Sequence, residues 1–152
     1  MSNKQKPLTK AELKAANVNP KTGLATDYLN IFNEYIMLAE LVLDGSMEKE
    51  ILQDWQAIDY ATHFSNSGFV GADIVLQSYY SLEKTIRNKF DKEIKHIISL
   101  TINHQKHPDS HKKEICDIKH QRDIIAAMIT PPKDIKNIES ESKQAQIDAL
   151  FD

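Results

Sequence analysis

A single cysteine, Cys116, among 152 residues leaves no internal disulfide to be made, which fits a reducing compartment. Glycine and proline are also sparse, at 4 and 5. Many-stranded folds need frequent turn punctuation and helical folds need little, so this scarcity points away from β architecture. Gly23, Gly45, Gly68 and Gly71 all fall in the first half of the chain, where they separate helical stretches. No window contains the roughly 18 consecutive apolar residues of a membrane span, so no membrane association is expected. The stretch from Met1 to Lys14 is polar and lysine-bearing but has no apolar segment of the kind a secretory signal needs. The expectation is therefore a cytoplasmic protein. An excess of positive charge is missing too: the formal net charge is −3. A general nucleic-acid binder would need a basic surface to displace counterions, so nucleic acid is not an expected partner. There is no glycine-rich phosphate loop, nucleophile elbow or His-Glu-x-x-His motif, and no cofactor is expected.

What is present is ordinary globular material, 41% hydrophobic and 27% charged, enough to bury a real core. The apolar residues recur at helical spacing. Thr26 and Asp27 suit the start of a helix whose inner face carries Tyr28, Leu29, Phe32, Tyr35, Ile36, Ala39 and Leu43. Gly45 and Ser46 end it. A second helix is expected over 47–63, with Ile51, Leu52, Trp55, Ile58 and Ala61 inward. Asn66, Ser67, Gly68 and Gly71 break the chain, and Asp73 to Tyr80 reads as a short helix, although Ile74-Val75-Leu76 also suits a strand. A long helix from Ser81 places Leu82, Ile86, Phe90, Ile94, Ile97 and Ile98 on one stripe, until Pro108 ends or kinks it. A last helix over 109–129 turns Ile115, Ile118, Ile125 and Met128 inward, and Thr130-Pro131-Pro132 stops it.

The reading is an all-α, irregular bundle of four to five helices over residues 24–130. Residues 1–23 are expected to form a mobile arm, with a short helix over Lys10 to Ala16 as the alternative there, 131–141 a linker, and 142–152 a separate peptide. A homo-oligomer is compatible with this plan.

Two constellations suggest chemistry without the spacing to carry it. His104, His107, His111 and His120 crowd around Cys116, and Cys116 with His120 is an i, i+4 pair able to chelate. Paired-ligand motifs are missing, however, and Lys106, Lys112, Lys113 and Lys119 disfavour a cation. No metal is expected, and Cys116 reads as a small buried apolar residue. His96 suggests a histidine phosphotransfer bundle, but Ile97-Ile98-Ser99 follows where such domains carry Lys and Gly.

The run Gln144-Ala145-Gln146-Ile147-Asp148-Ala149-Leu150-Phe151-Asp152 is an apolar cluster after a polar linker. A helical turn would bring Ile147, Leu150 and Phe151 onto one face. So short a peptide folds only on contact, with a partner or, in the alternative reading of the chain as an oligomeric helical scaffold, with its own bundle. Burying the three side chains is worth roughly 4–9 kcal/mol gross, much of it offset by ordering entropy. This run resembles the N-terminal peptide of the flagellar switch protein FliM, commonly Ser-Gln-Ala-Glu-Ile-Asp-Ala-Leu-Leu, and the C-terminal tail of the chemotaxis phosphatase CheZ. Gln144, Ala145, Ile147, Asp148, Ala149 and Leu150 match. Lys143 replaces Ser, Gln146 replaces Glu, and Phe151 replaces Leu. The resemblance implies docking to a phosphorylated CheY-like response regulator, with Ile147, Leu150 and Phe151 in an apolar groove and Asp148 paired with a basic residue.

A second, shorter resemblance concerns catalysis. CheZ-type phosphatases place Asp and Gln four residues apart on a helix, and the Gln amide orients water against the regulator's aspartyl phosphate. Asp117-Ile118-Lys119-His120-Gln121-Arg122 keeps the Asp, Ile, Gln and Arg of the alphaproteobacterial pattern and lacks its Thr-Gly. The resemblance implies Gln121 and Asp117 as catalytic residues, on a face open to the regulator. Asp73 and Gln77 match the same spacing. Separately, Gly23 to Asn30 and Phe32-Asn33-Glu34 are similar to stretches of small uncharacterised alphaproteobacterial proteins.

Overall fold

The computed structural model describes residues 7–108 and 112–132. The first helix, α1 (Lys10–Ala15), is six residues long and buries none of them, so its stability has to come from its ends. Thr9 Oγ1 accepts from the Glu12 N–H, and Glu12 Oε1 accepts from the Thr9 N–H, both at 3.1 Å. This reciprocal box satisfies two free donors of the first turn. At the other end Asn17 takes a left-handed conformation (φ 61°), and the Val18 N–H returns to the Leu13 carbonyl at 2.8 Å. That reversal sends Ala16 and Val18 into the core, and Val18 forms an isolated antiparallel bridge with Ala25. The expectation of a mobile arm up to residue 23 is thus corrected for its second half. Burial there falls just beyond the helix, where no helical period could register it.

The helix expected from Thr26 begins as a 3-10 turn, Thr26–Leu29, and becomes α2 at Asn30–Leu43. Thr26 is not its cap: Ala25 holds the N-cap position with no side-chain bond. Instead the Ala25 N–H donates to Tyr60 Oη at 2.9 Å, a tertiary contact replacing a local one. Tyr28, Leu29, Phe32, Tyr35, Ile36 and Ala39 are buried as expected, whereas Leu43, in the last turn, is 50% exposed.

The expected second helix is divided. Lys49–Asp54 is a 3-10 turn, Trp55 to Asp59 is non-helical, and α3 covers Tyr60–Asn66. Asp59 caps α3, accepting the Thr62 N–H at 2.8 Å. The carbonyls freed by the break find distant donors. Gln105 Nε2 donates to the Leu52 and Trp55 carbonyls at 2.7 and 2.8 Å, and Tyr28 Oη donates to the Ile58 carbonyl at 2.7 Å. A backbone so supported does not need the helix to be satisfied.

The rest of the chain follows its periodicity, except that Ile86, expected on the inner stripe of the long helix, is 49% exposed. Ile74-Val75-Leu76 lies within α4 (Ala72–Tyr80), not in a strand, and α5 (Lys84–Lys106) stops before Pro108. α6 (Lys112–Ile129) packs along α5, the most extensive helix pair, and also against α2. The two run antiparallel, joined by the short connection around Pro108. The fold is an all-α irregular bundle. It has six α-helices among the described residues, against four to five expected, because the segment before residue 23 contributes α1 and the second helix splits. Among the described residues no helix is long and apolar enough to cross a membrane.

The core is unusually aromatic at its centre. Trp55, Phe32, Tyr28, Tyr60 and Phe90 form a chain of ring contacts with centroids 5.2–5.7 Å apart. Each buried ring of this size contributes about 1.5–3 kcal/mol through burial, provided its hydroxyl has a partner. Every buried tyrosine has one: Tyr28 with Ile58, Tyr35 with His104, Tyr60 with Ala25 and Tyr79 with Asp91. Desolvation pushes the ionisation of all four hydroxyls well above the ordinary tyrosine range, so they remain protonated.

Candidate functional site

Asp117 and Gln121 both lie on α6, but not on a face open to a partner. Gln121 is 3% exposed. Its Nε2 donates to Glu93 of α5, to the carboxylate Oε2 at 2.7 Å and to the main-chain carbonyl at 3.2 Å. The amide that a CheZ-like mechanism extends into the regulator is here spent on the neighbouring helix. Withdrawing it would leave a buried polar pocket unsatisfied, at a cost of about 1–3 kcal/mol. Asp117 is half-buried one turn earlier. The expectation of an open catalytic face at Asp117 and Gln121 is therefore corrected: α6 has its apolar stripe at Ile115, Ile118, Ile125 and Ile129, and Gln121 continues that stripe. On α4, Asp73 is exposed and Gln77 half-buried.

The residues assigned to regulator binding, Ile147, Asp148, Leu150 and Phe151, lie outside the described residues.

Cys116 is exposed, contrary to its reading as a buried apolar residue. It occupies the solvent side of α6 between the inward positions Ile115 and Ile118. His120 is exposed beside it, while His104 is buried. His104 therefore cannot join a chelating set with them. Among the described residues no three or more His, Cys, Asp or Glu side chains converge on one point. His104 instead pairs with Tyr35, whose Oη lies 2.7 Å from its Nδ1. The direction of this bond follows the imidazole tautomer, since the phenolic hydroxyl can donate to Nδ1 or accept from it. Burial also holds the imidazole below its ordinary titration range, with nearby Glu114 partly opposing.

A cleft of about 770 Å3 was not foreseen. It opens where the end of α6 meets the loop after α1 and the start of α2, and Asn17, Asn19, Asn30, Asn33, Lys14 and Arg122 line it. A polar ladder crosses it. Asn30 Nδ2 donates to Asp27 Oδ1 at 3.3 Å, Asn33 Nδ2 to Asn30 Oδ1 at 3.4 Å, and Arg122 to Asn33 Oδ1 at 3.1 Å. Asn30 and Asn33 are three residues apart on one helix face, a visible signal, but only the fold adds Asn17, Asn19 and Arg122. Amide and guanidinium groups so arranged can hold a polar or anionic group.

Comparisons with protein-family models, curated proteins and solved structures gave no match.

Proposed function

We propose that this chain is a non-enzymatic adaptor of chemotaxis or motility signalling, which captures a CheY-like response regulator through the run Gln144–Asp152. One observation carries the proposal: Gln144, Ala145, Ile147, Asp148, Ala149 and Leu150 match the docking peptide common to FliM and CheZ, with Lys143, Gln146 and Phe151 departing from it. One feature of the bundle supports it: α6 ends immediately before Thr130-Pro131-Pro132, a sequence that cannot continue a helix. The run thus belongs to a stretch that α6 does not extend into. Gln121, turned inward onto Glu93, favours an adaptor over a phosphatase of the CheZ kind. Such an exchange belongs in the cytoplasm, where response regulators are phosphorylated.

The test is a titration of a synthetic peptide of residues 140–152 against a CheY-like regulator. Micromolar binding that tightens on phosphorylation of the regulator is expected, because only a preference for the activated state makes the peptide a reader of the signal. No binding at high micromolar concentration would make the likeness of sequence accidental.

A further inference from the structure

Charge is segregated along the bundle. From Lys84 to Lys95, α5 carries five basic side chains and two acidic ones. Its buried stripe runs through Phe90, Ile94, Ile97 and Thr101. On the opposite side, centred on Lys92, lie Lys84, Asn88, Lys95 and Ser99, with Lys89 at the edge. The two carboxylates sit on the flanks of that side, half-buried. Asp91 accepts the Tyr79 hydroxyl at 2.6 Å, and Glu93 accepts the Gln121 amide at 2.7 Å. Lys84, Lys89, Lys92 and Lys95 are exposed, and none has an ion-pair partner among the described residues. Ile86, 49% exposed, adds apolar surface beside them.

The opposite charge gathers elsewhere. Between Asp44 and Asp54 stand four carboxylates, Asp44, Glu48, Glu50 and Asp54, and one base, Lys49. All four carboxylates are exposed. Leu43 and Met47 lie in the same stretch, 50% and 37% exposed. Gln53 Nε2 donates to the Gln105 carbonyl at 2.9 Å, which fixes the acidic segment beside the last turn of α5. Along the helix Lys95 is about 15 Å from Gln105, and Lys84 about 31 Å. Among the described residues no ion pair joins the two regions.

We infer that the lysine face of α5 docks on the 44–54 segment of a second copy of this chain. Each region sets exposed apolar side chains among charges of one sign, Ile86 in one and Leu43 with Met47 in the other. The contact therefore joins opposite charges and removes apolar surface from water at the same time. It pairs between copies the charges that one copy holds apart, whereas a foreign polyanion would match the lysines alone. Laid antiparallel, two copies make the contact twice and close as a dimer, and any other arrangement extends into a chain. Exposed ion pairs are individually weak and screened by salt, so the Kd is on the order of 0.1 mM, a weak contact. None of this depends on the adaptor reading.

The test is sedimentation equilibrium of the full chain from about 20 μM to about 1 mM, which brackets that Kd. At about 0.05 M salt the weight-average mass should climb to at least about 1.5 times the monomer value at the highest concentration. At about 0.5 M salt, where the Debye length is only about 4 Å, it should return to the monomer. Lys92→Glu with Lys95→Glu, and separately Glu48→Lys with Glu50→Lys, should each weaken association at least about 10-fold while keeping the helical far-UV signal. An equimolar mixture of the two reversed proteins should associate again, because each supplies the charge the other now needs. Ile86→Ser should weaken the contact about 3-fold and leave its salt dependence in place. A monomer at the highest concentration in low salt overturns the inference. So does association that survives both reversals, or a mixture of the reversed proteins that stays monomeric. If a reversed protein does not fold, salt and Ile86→Ser decide, and association indifferent to both overturns the contact.

Discussion

Gln121 on α6 and Glu93 on α5 are joined at 2.7 Å from Nε2 to Oε2, a polar stitch between the two longest helices among the described residues. Gln121→Ala removes that bond from a site only 3% exposed. Chemical denaturation should show a loss of about 1–3 kcal/mol, and regulator binding by residues 144–152 should be unchanged. The same variant separates adaptor from phosphatase. The wild-type chain should not accelerate dephosphorylation of the regulator, and acceleration abolished in Gln121→Ala would restore a catalytic role to this residue.

The Tyr35–His104 pair makes a pH prediction. Burial depresses the folded imidazole below its ordinary value of 6.5, so below that pH the unfolded chain binds more protons than the folded one. Stability is then fully present above about 6.5 and declines as pH falls toward the depressed folded value. Thermal melts from pH 7.5 to 5 should show this decline. His104→Gln, which can still accept from the tyrosine hydroxyl, should flatten it.

The segment before residue 23 supplies a third. Val18 is 2% exposed and Ala16 3% exposed, so Val18→Ala should destabilise the fold by about 1–3 kcal/mol through the cavity it leaves. A mobile arm would tolerate the change without effect, and a denaturation midpoint identical to wild type would restore that picture.

Cys116 gives the simplest check. Its exposure predicts that a bulky thiol reagent titrates it fully in the native protein. Modification that requires denaturant would place the thiol inside.

These cases also show what could be read before the fold was known. The faces of α2, α5 and α6 were legible because each repeats its apolar period over several turns: Phe32, Ile36 and Ala39, or Phe90, Ile94 and Ile97, suffice to orient a helix. α1 was legible only as an alternative to a mobile arm, since its own six residues bury nothing and its packing comes from Ala16 and Val18 after a left-handed turn. The break at Trp55 was hidden because its carbonyls are satisfied by Gln105, 50 residues away. The inward placement of Gln121 was hidden for a related reason. A polar residue three positions from Ile118 and four from Ile125 reads as an outer face only if one forgets that a neighbouring helix can accept its protons. The polar cleft, assembled from three separated segments, has no linear signature beyond Asn30 and Asn33.

The central claim is tested most directly by calorimetric titration of the phosphorylated regulator with the full chain, its Phe151→Ala variant and its Ala149→Ser variant. Phe151 lies on the apolar face of the run and Ala149 one step off it. Binding in the micromolar range is expected for the wild type. Phe151→Ala should weaken it by about 1–3 kcal/mol, with Ala149→Ser close to wild type and the unphosphorylated regulator bound less tightly throughout. Equal affinity for all three proteins, or no heat of binding from any of them, would contradict the account.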